Sequence, residues 1–107
     1  MKKILNLLQI LKIKYGMFIG KKSLERLVAY IGGYEHCLIE RGENISGLRM
    51  GFLPGFQEYI ENRYNIHTDH HWSNIIQFFC NSDEEAFDTF YKLLDEFLAE
   101  NYNQVEK

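Results

Sequence analysis

Cysteine and proline are both scarce in this chain, whose 107 residues include two cysteines and one proline. Cys37 and Cys80 lie in apolar surroundings, a pattern that is typical of small buried hydrophobic residues. The pattern argues against a zinc ligand set and against a disulfide framework. A single bridge between the two cysteines is the alternative.

Long apolar runs are absent as well. No stretch reaches the roughly 18 uninterrupted apolar residues that a membrane span requires. Residues 4–13 follow two lysines, as in a signal peptide, but Asn6, Gln9 and Lys12 interrupt the run and no small-residue cleavage site follows. We therefore expect a cytoplasmic protein with no membrane partner.

Aromatic residues, in contrast, are abundant and make up 15% of the chain. The hydrophobic share of 46% and the charged share of 25% are those of an ordinary globular protein. A chain of this length buries only about two-thirds of its unfolded surface, so large side chains are an efficient way to fill a core. We predict one domain over residues 1–107, with most of the aromatic residues in its core, Phe79 included.

Every long apolar pattern in the sequence has a helical period. The first segment carries two such sets, which predict a helix that packs on two sides: Ile4, Leu7, Leu8 and Leu11 form one set, and Leu5, Ile10 and Ile13 form the other. Gly16 and Gly20 are predicted to frame a turn after this helix. In the next helix, the Gly32-Gly33 pair predicts a kink or a close helix crossing.

Two serines mark the clearest helix starts. Ser23 is an N-cap candidate for a helix that reaches about Arg41, and Ser82 forms a capping box with Glu85 at the start of the last helix. Between them we predict a glycine-rich loop over 42–55 and then a helix with Pro54 in its first turn and Phe56, Tyr59, Ile60 and Tyr64 on one face. The polar corner 67–72 is predicted to open a short helix that carries Trp72, Ile75, Ile76 and Phe79. For residues 75–80 a short buried strand is the alternative. The predicted fold is a compact, single-domain, all-α bundle of about five helices.

Charge is distributed unevenly along the chain, although the net charge is only −3. Residues 1–26 contain seven basic residues and one acidic residue, whereas residues 27–107 contain five basic and fourteen acidic residues. Such asymmetry can steer a charged partner to one face. The acidic majority argues against a nucleic-acid-binding protein, which needs a dominant basic face.

The densest cluster of polar, metal-ligating side chains is the segment His67-Thr-Asp-His-His71. His67 and His71 stand four residues apart, a spacing that zinc-binding helices use, and Asp69 could complete a metal site. The alternative is a polar corner at a helix start, capped by Thr68 or Asp69. No glutamate follows His67 in the metalloprotease pattern, and no phosphate-binding glycine motif is present. We therefore expect no metal, no cofactor and no catalytic residues, and we predict that the protein is not an enzyme.

Several runs in the sequence resemble a family of small bacterial proteins, the immunity proteins of contact-dependent growth inhibition and related polymorphic toxin systems. The resemblance covers residues 15–98 and is carried by five runs: Tyr15-Gly-Met-Phe-Ile-Gly-Lys-Lys-Ser-Leu-Glu-Arg-Leu27, Ile31-Gly-Gly-Tyr34, Phe56-Gln-Glu-Tyr-Ile-Glu-Asn-Arg-Tyr64, His71-Trp-Ser-Asn-Ile-Ile76, and Ser82 to Phe97. It implies a cytoplasmic antitoxin that binds one secreted toxin domain and covers its active site. Many such toxins are nucleases with basic substrate grooves.

An inhibitor of a basic groove needs acidic groups on a rigid scaffold. We predict that the partner-binding surface consists of these residues: Glu58, Glu61, Asp69, His70, Asp83, Glu84 and Asp88. Tyr91 or Trp72 is predicted to be its apolar anchor, because Tyr and Trp commonly anchor protein interfaces.

Two other classes of function remain as alternatives. One is a small metal-binding helical protein or enzyme that uses His67, His70, His71 and Asp69. The other is an oligomeric helical regulator that binds nucleic acid through lysines of the N-terminal segment: Lys2, Lys3, Lys12, Lys14, Lys21 and Lys22. The sequence does not specify an oligomeric state.

Overall fold

A computed structural model describes residues 2–42 and 55–101 of the chain. These residues form five helices and no strand: α1 (Lys2–Phe18), α2 (Leu24–Glu40), α3 (Phe56–Tyr64), α4 (Trp72–Phe78) and α5 (Asp83–Asn101). The predicted all-α class with about five helices is therefore confirmed, and the alternative strand over 75–80 is wrong. The chain divides into two compact units, an N-terminal unit (Met1–Pro54) and a C-terminal unit (Gly55–Lys107). The single domain over 1–107 stays a prediction.

In the N-terminal unit, α1 runs further than the sequence predicts. It continues through Gly16 to Phe18, with non-helical backbone angles only at Lys14, so the turn begins at Ile19. Ile4, Leu8 and Leu11 are buried on one face, but the other predicted set is not: Ile10 and Ile13 are exposed and Leu5 is partly exposed. The expectation of two-sided packing is wrong for the part of the chain that the structure describes.

The turn between α1 and α2 is held by two side chains. Gly20 adopts a positive φ of 88°, and the guanidinium Nη1 of Arg26 donates to the carbonyl oxygen of Ile19 at 2.8 Å. Ser23 caps α2 as predicted, because its hydroxyl accepts from the backbone N–H of Arg26 at 3.2 Å.

The second helix is continuous through its glycine pair. A Cβ added at Gly32 or Gly33 would have no neighbour within 4 Å among the described residues, so the predicted kink or close crossing is wrong. The helix ends at Glu40, close to the predicted end. The predicted burial of Cys37 is wrong, because Cys37 is exposed, whereas Glu35 of the same helix is buried.

In the C-terminal unit, backbone geometry and caps set the helix ends. Gly55 (φ 89°) precedes α3 and Asn65 (φ 55°) follows it, both in the left-handed region that favours Gly and Asn. The hydroxyl of Ser82 accepts from the N–H of Glu85 at 3.1 Å, as predicted. The carboxylate of Glu85 then accepts from the N–H of Asn81 at 2.9 Å, one residue before the predicted partner. The predictions for the 42–55 loop and for Pro54 fall on residues 43–54, which lie outside the described residues.

The core of the C-terminal unit is aromatic. Phe56 is in ring contact with Trp72, Phe90 and Phe97, with centroids 4.9–6.1 Å apart, and the Trp72 ring stacks on Phe90 at 5.1 Å. Burial of Phe56, Phe87, Phe90 and Phe97 confirms the predicted role of these residues. Phe79 contradicts its prediction, because 47% of it is exposed. Within the described segments, no helix combines the length and the apolarity that crossing a membrane requires.

Candidate functional site

Gln57, a residue of the first turn of α3, connects three parts of the C-terminal unit. Its side-chain NH₂ donates to the carboxylate of Glu61 at 2.8 Å and to the backbone carbonyl of His70 at 3.0 Å. Its side-chain oxygen accepts from the backbone N–H of Trp72 at 2.9 Å. One amide therefore holds α3, the α3–α4 loop and the first turn of α4 together.

This arrangement joins two of the predicted binding residues, Glu61 and His70. The second carboxylate oxygen of Glu61 lies 4.0 Å from Nδ1 of His67, whose side chain is almost fully exposed. The loop is further ordered by Thr68, whose hydroxyl accepts from the N–H of His70 at 3.2 Å. The α3–α4 corner is thus a polar surface with fixed geometry and an acidic group at its centre.

The histidines do not have the arrangement that the metal hypothesis requires. The helix begins only at Trp72, so His67 lies in the loop while His71 is the N-cap, its Nδ1 accepting from the N–H of Ser73 at 3.3 Å. Their four-residue spacing therefore does not place them on one helix face. Among the residues the structure describes, no three His, Cys, Asp or Glu side chains come together as a metal site. The predicted capping by Thr68 or Asp69 is wrong, since His71 takes that role.

Beside this corner lies an open groove of about 470 Å³, between the α3–α4 loop and α4. It is lined by apolar and uncharged polar side chains together with one histidine: Ile66, Thr68, His70, Asn74, Ile75, Phe78 and Phe79. Phe78 is 79% exposed, and its ring meets the ring of Phe79 edge-on at 5.1 Å. The Phe79 ring in turn stacks on Tyr64 at 4.7 Å. The groove is therefore a polar-rimmed, aromatic surface open to solvent.

Acidic side chains dominate the surface of this unit. Residues 55–101 contain two basic residues, Arg63 and Lys92, and ten acidic ones, each at least partly exposed: Glu58, Glu61, Asp69, Asp83, Glu84, Glu85, Asp88, Asp95, Glu96 and Glu100. Arg63 is in part neutralised, because its Nε lies 3.9 Å from the Glu96 carboxylate. Such a surface attracts positively charged partners.

Two tyrosines report on this environment. Partial burial raises the pKa of Tyr59, and the carboxylates of Glu100 and Glu96, 3.3 and 3.5 Å from its hydroxyl, raise it further. Partial burial likewise raises the pKa of Tyr64, with the neighbouring Cys80 thiol and the Glu85 carboxylate adding to the effect.

The predicted binding residues fall into two groups, those that are exposed enough to contact a partner and those that are buried. Those that are at least partly exposed are Glu58, Glu61, Asp69, His70, Asp83, Glu84 and Asp88. The two predicted anchors are not exposed: Trp72 is 2% and Tyr91 3% accessible, because both pack among the rings of the aromatic core. Neither side chain reaches a surface where it could contact a partner. Burial also raises the pKa of the Tyr91 hydroxyl.

Two residues that are prominent in the structure, Gln57 and Phe78, were not predicted from the sequence. A polar residue on an amphipathic helix looks the same in the sequence whether or not it bonds to a distant loop, so no sequence feature could have identified Gln57. Phe78 did have one, since it follows Ile75 by three residues and stands next to Phe79, which indicates more apolar residues than one helix face can bury.

The basic N-terminal unit offers the surface that the nucleic-acid hypothesis uses. Lys12, Lys14 and Lys21 are exposed, and Lys22 is half-buried, with its Nζ 5.7 Å from the ring centre of Tyr15. The side chains of Lys2 and Lys3 lie outside the described part.

No protein-family model, no curated protein and no solved structure matches the chain.

Proposed function

We propose that the protein is an immunity protein, which binds a cognate toxin domain in the cytoplasm and covers its active site. The single observation that carries the proposal is the excess of exposed carboxylates in the C-terminal unit, ten against two basic residues over 55–101. A basic nuclease groove is the complementary surface. The resemblance of residues 15–98 to immunity proteins gives independent support.

Capture in this proposal is electrostatic. Exposed carboxylates raise the local concentration of a basic domain and orient it before contact, so that association is fast at low ionic strength and slows as salt is added. Rigid presentation matters as well, because a surface that is already ordered loses less conformational entropy on binding. The hydrogen bonds of Gln57 give the α3–α4 corner such order.

The test uses the C-terminal domain encoded by the adjoining toxin reading frame, with affinity measured by calorimetry. A double charge reversal in the C-terminal unit, Glu58→Lys with Asp88→Lys, should weaken binding by about tenfold or more and flatten its salt dependence. The matched control is Glu25→Lys with Glu40→Lys, which changes the net charge equally but in the N-terminal unit, where both residues are exposed.

Two results would contradict the proposal. The first is an absence of binding between the unmodified protein and the toxin domain. The second is equal affinity of the two double variants, which would show that the C-terminal carboxylates do not contact the toxin.

A further inference from the structure

The groove beside α4 contains the most exposed aromatic side chain of the C-terminal unit among the described residues. Phe78 is 79% exposed, although it belongs to a helix whose Trp72, Ile75 and Ile76 are buried. Exposing a phenylalanine leaves apolar area in water, which is unfavourable. A side chain of this kind beside a groove is typical of an interaction site.

The aromatic groups of the groove form an ordered row. Tyr64 is partly buried, its ring stacks on Phe79 with an interplanar angle of 10°, and Phe79 meets Phe78 at 89°. Phe79 thus lies between the rings of Tyr64 and Phe78, and Phe78 packs against a neighbour that is itself held in place. A rigid aromatic side chain gives up little conformational freedom when a partner covers it.

Carboxylates lie beside the groove at the α3–α4 loop. Asp69 is exposed and lies between two lining residues, Thr68 and His70. Glu61 is connected to the His70 carbonyl through Gln57. A segment that enters the groove therefore meets apolar surface and, at the α3–α4 loop, negative charge.

We propose that this groove binds an apolar side chain carried on a basic segment of the toxin domain, with Phe78 as the main contact. The inference deepens the proposed function and rests on it. It replaces the predicted anchors Trp72 and Tyr91, which are buried, with a residue that a partner can reach. Lysine or arginine residues flanking the apolar side chain would pair with Asp69 and Glu61.

The two kinds of contact have separable effects on binding. Carboxylates act at long range, so they govern the association rate and its dependence on salt. Phe78 acts only after contact, so it governs the dissociation rate. Removing the ring should therefore change affinity without changing the salt dependence.

The experiment measures binding of the toxin domain to Phe78→Ser at several salt concentrations. We expect affinity to fall by about tenfold or more, through faster dissociation, with an unchanged salt slope. Met17→Ser is the matched control, because Met17 is an equally exposed apolar residue, at 79%, in the N-terminal unit. The affinity of Met17→Ser for the toxin domain should stay within about twofold of that of the unmodified protein. Thermal unfolding followed by circular dichroism verifies that both variants fold.

A second variant tests the groove without altering Phe78. Asn74→Trp places a large ring at an exposed lining position, so it should obstruct the groove and weaken toxin binding. If the unmodified protein binds the toxin domain but Phe78→Ser and Asn74→Trp bind as tightly as Met17→Ser, the groove is not the contact and the proposed function stands alone. If the unmodified protein does not bind, both proposals fail. A dimer that Phe78→Ser converts to monomers, with unchanged toxin affinity, would overturn the inference by assigning the groove to a second copy of the chain.

Discussion

The side-chain oxygen of Gln57 accepts a hydrogen bond from the backbone N–H of Trp72 at 2.9 Å. This bond satisfies one of the amide groups that the first turn of α4 leaves without a partner inside the helix. It also connects the start of α3 to the start of α4, across fifteen residues of sequence. A single uncharged side chain therefore adds a polar connection between α3 and α4 to the ring contact of Phe56 with Trp72.

Gln57→Ala should lower the free energy of unfolding by about 1–3 kcal/mol, because it leaves polar groups of three other residues without this partner. Urea unfolding followed by tryptophan fluorescence measures the change, since the single Trp72 lies at the affected helix start. Gln9→Ala is the control, as Gln9 is exposed on α1, and it should shift stability by less than about 0.5 kcal/mol. Equal stability of both variants would show that the Gln57 contacts contribute nothing.

Gly33→Ala should raise stability by about 0.5–1 kcal/mol. Gly33 lies in the interior of α2, where an added Cβ would have no neighbour within 4 Å among the described residues, so alanine restricts the unfolded chain without a clash. Gly20→Ala is the opposite case, because Gly20 has a φ of 88° and its Cβ would lie 2.8 Å from Nη1 of Arg26. In thermal unfolding, the midpoint temperature should therefore rise for Gly33→Ala and fall for Gly20→Ala. A destabilised Gly33→Ala would indicate that something packs against this face.

Ser82→Ala should cost about 1 kcal/mol of stability, because the N–H of Glu85 loses the acceptor that caps α5. Ser82→Asp retains an acceptor at the same place and adds a negative charge at the helix N-terminus, which the helix dipole favours. Chemical denaturation should therefore rank the aspartate variant well above the alanine variant. The interpretation of Ser82 as a cap fails if the two variants have the same stability.

Alkaline pH should destabilise the protein in part through Tyr91. Burial raises the pKa of its hydroxyl above the value of about 10 in the unfolded chain, so the unfolded state releases this proton first. The contribution to stability is fully present below about pH 10 and is lost as the pH rises toward the folded-state pKa. Tyr91→Phe removes the titrating group, so its free energy of unfolding should fall less steeply above about pH 10 than that of the unmodified protein. Denaturant titrations at several pH values measure this free energy for both proteins. The assignment is wrong if the free energy of unfolding falls equally steeply with pH in the two.

The helices were predictable because their information is local. The Ser23 and Ser82 caps and the 3.6-residue period of α5 mark those helices without reference to the rest of the chain. Tertiary features were not predictable in the same way. Four of the seven residues of α4 are apolar. The spacing of the apolar residues therefore does not distinguish Ile76, which is buried, from Phe78, which is exposed.

Of the candidate site, only the exposed acidic residues were predicted correctly from the sequence. The acidic residues are exposed as expected, since carboxylates are rarely buried without a partner. Glu35 is buried, but it belongs to α2 and not to the predicted surface. The apolar contact was placed wrongly at Trp72 and Tyr91, because an aromatic residue at the edge of a helical stripe can face either the core or the solvent.

The opposite charges of the two units have a consequence for the behaviour of the protein in solution. Residues 2–42 contain eight basic and three acidic residues, whereas residues 55–101 contain two and ten. In dilute buffer, the basic unit of one molecule attracts the acidic unit of another over about 30 Å, and physiological salt shortens that range to about 8 Å. The protein should therefore show salting-in, with its lowest solubility at low ionic strength, and at neutral pH it should be retained by both anion and cation exchangers.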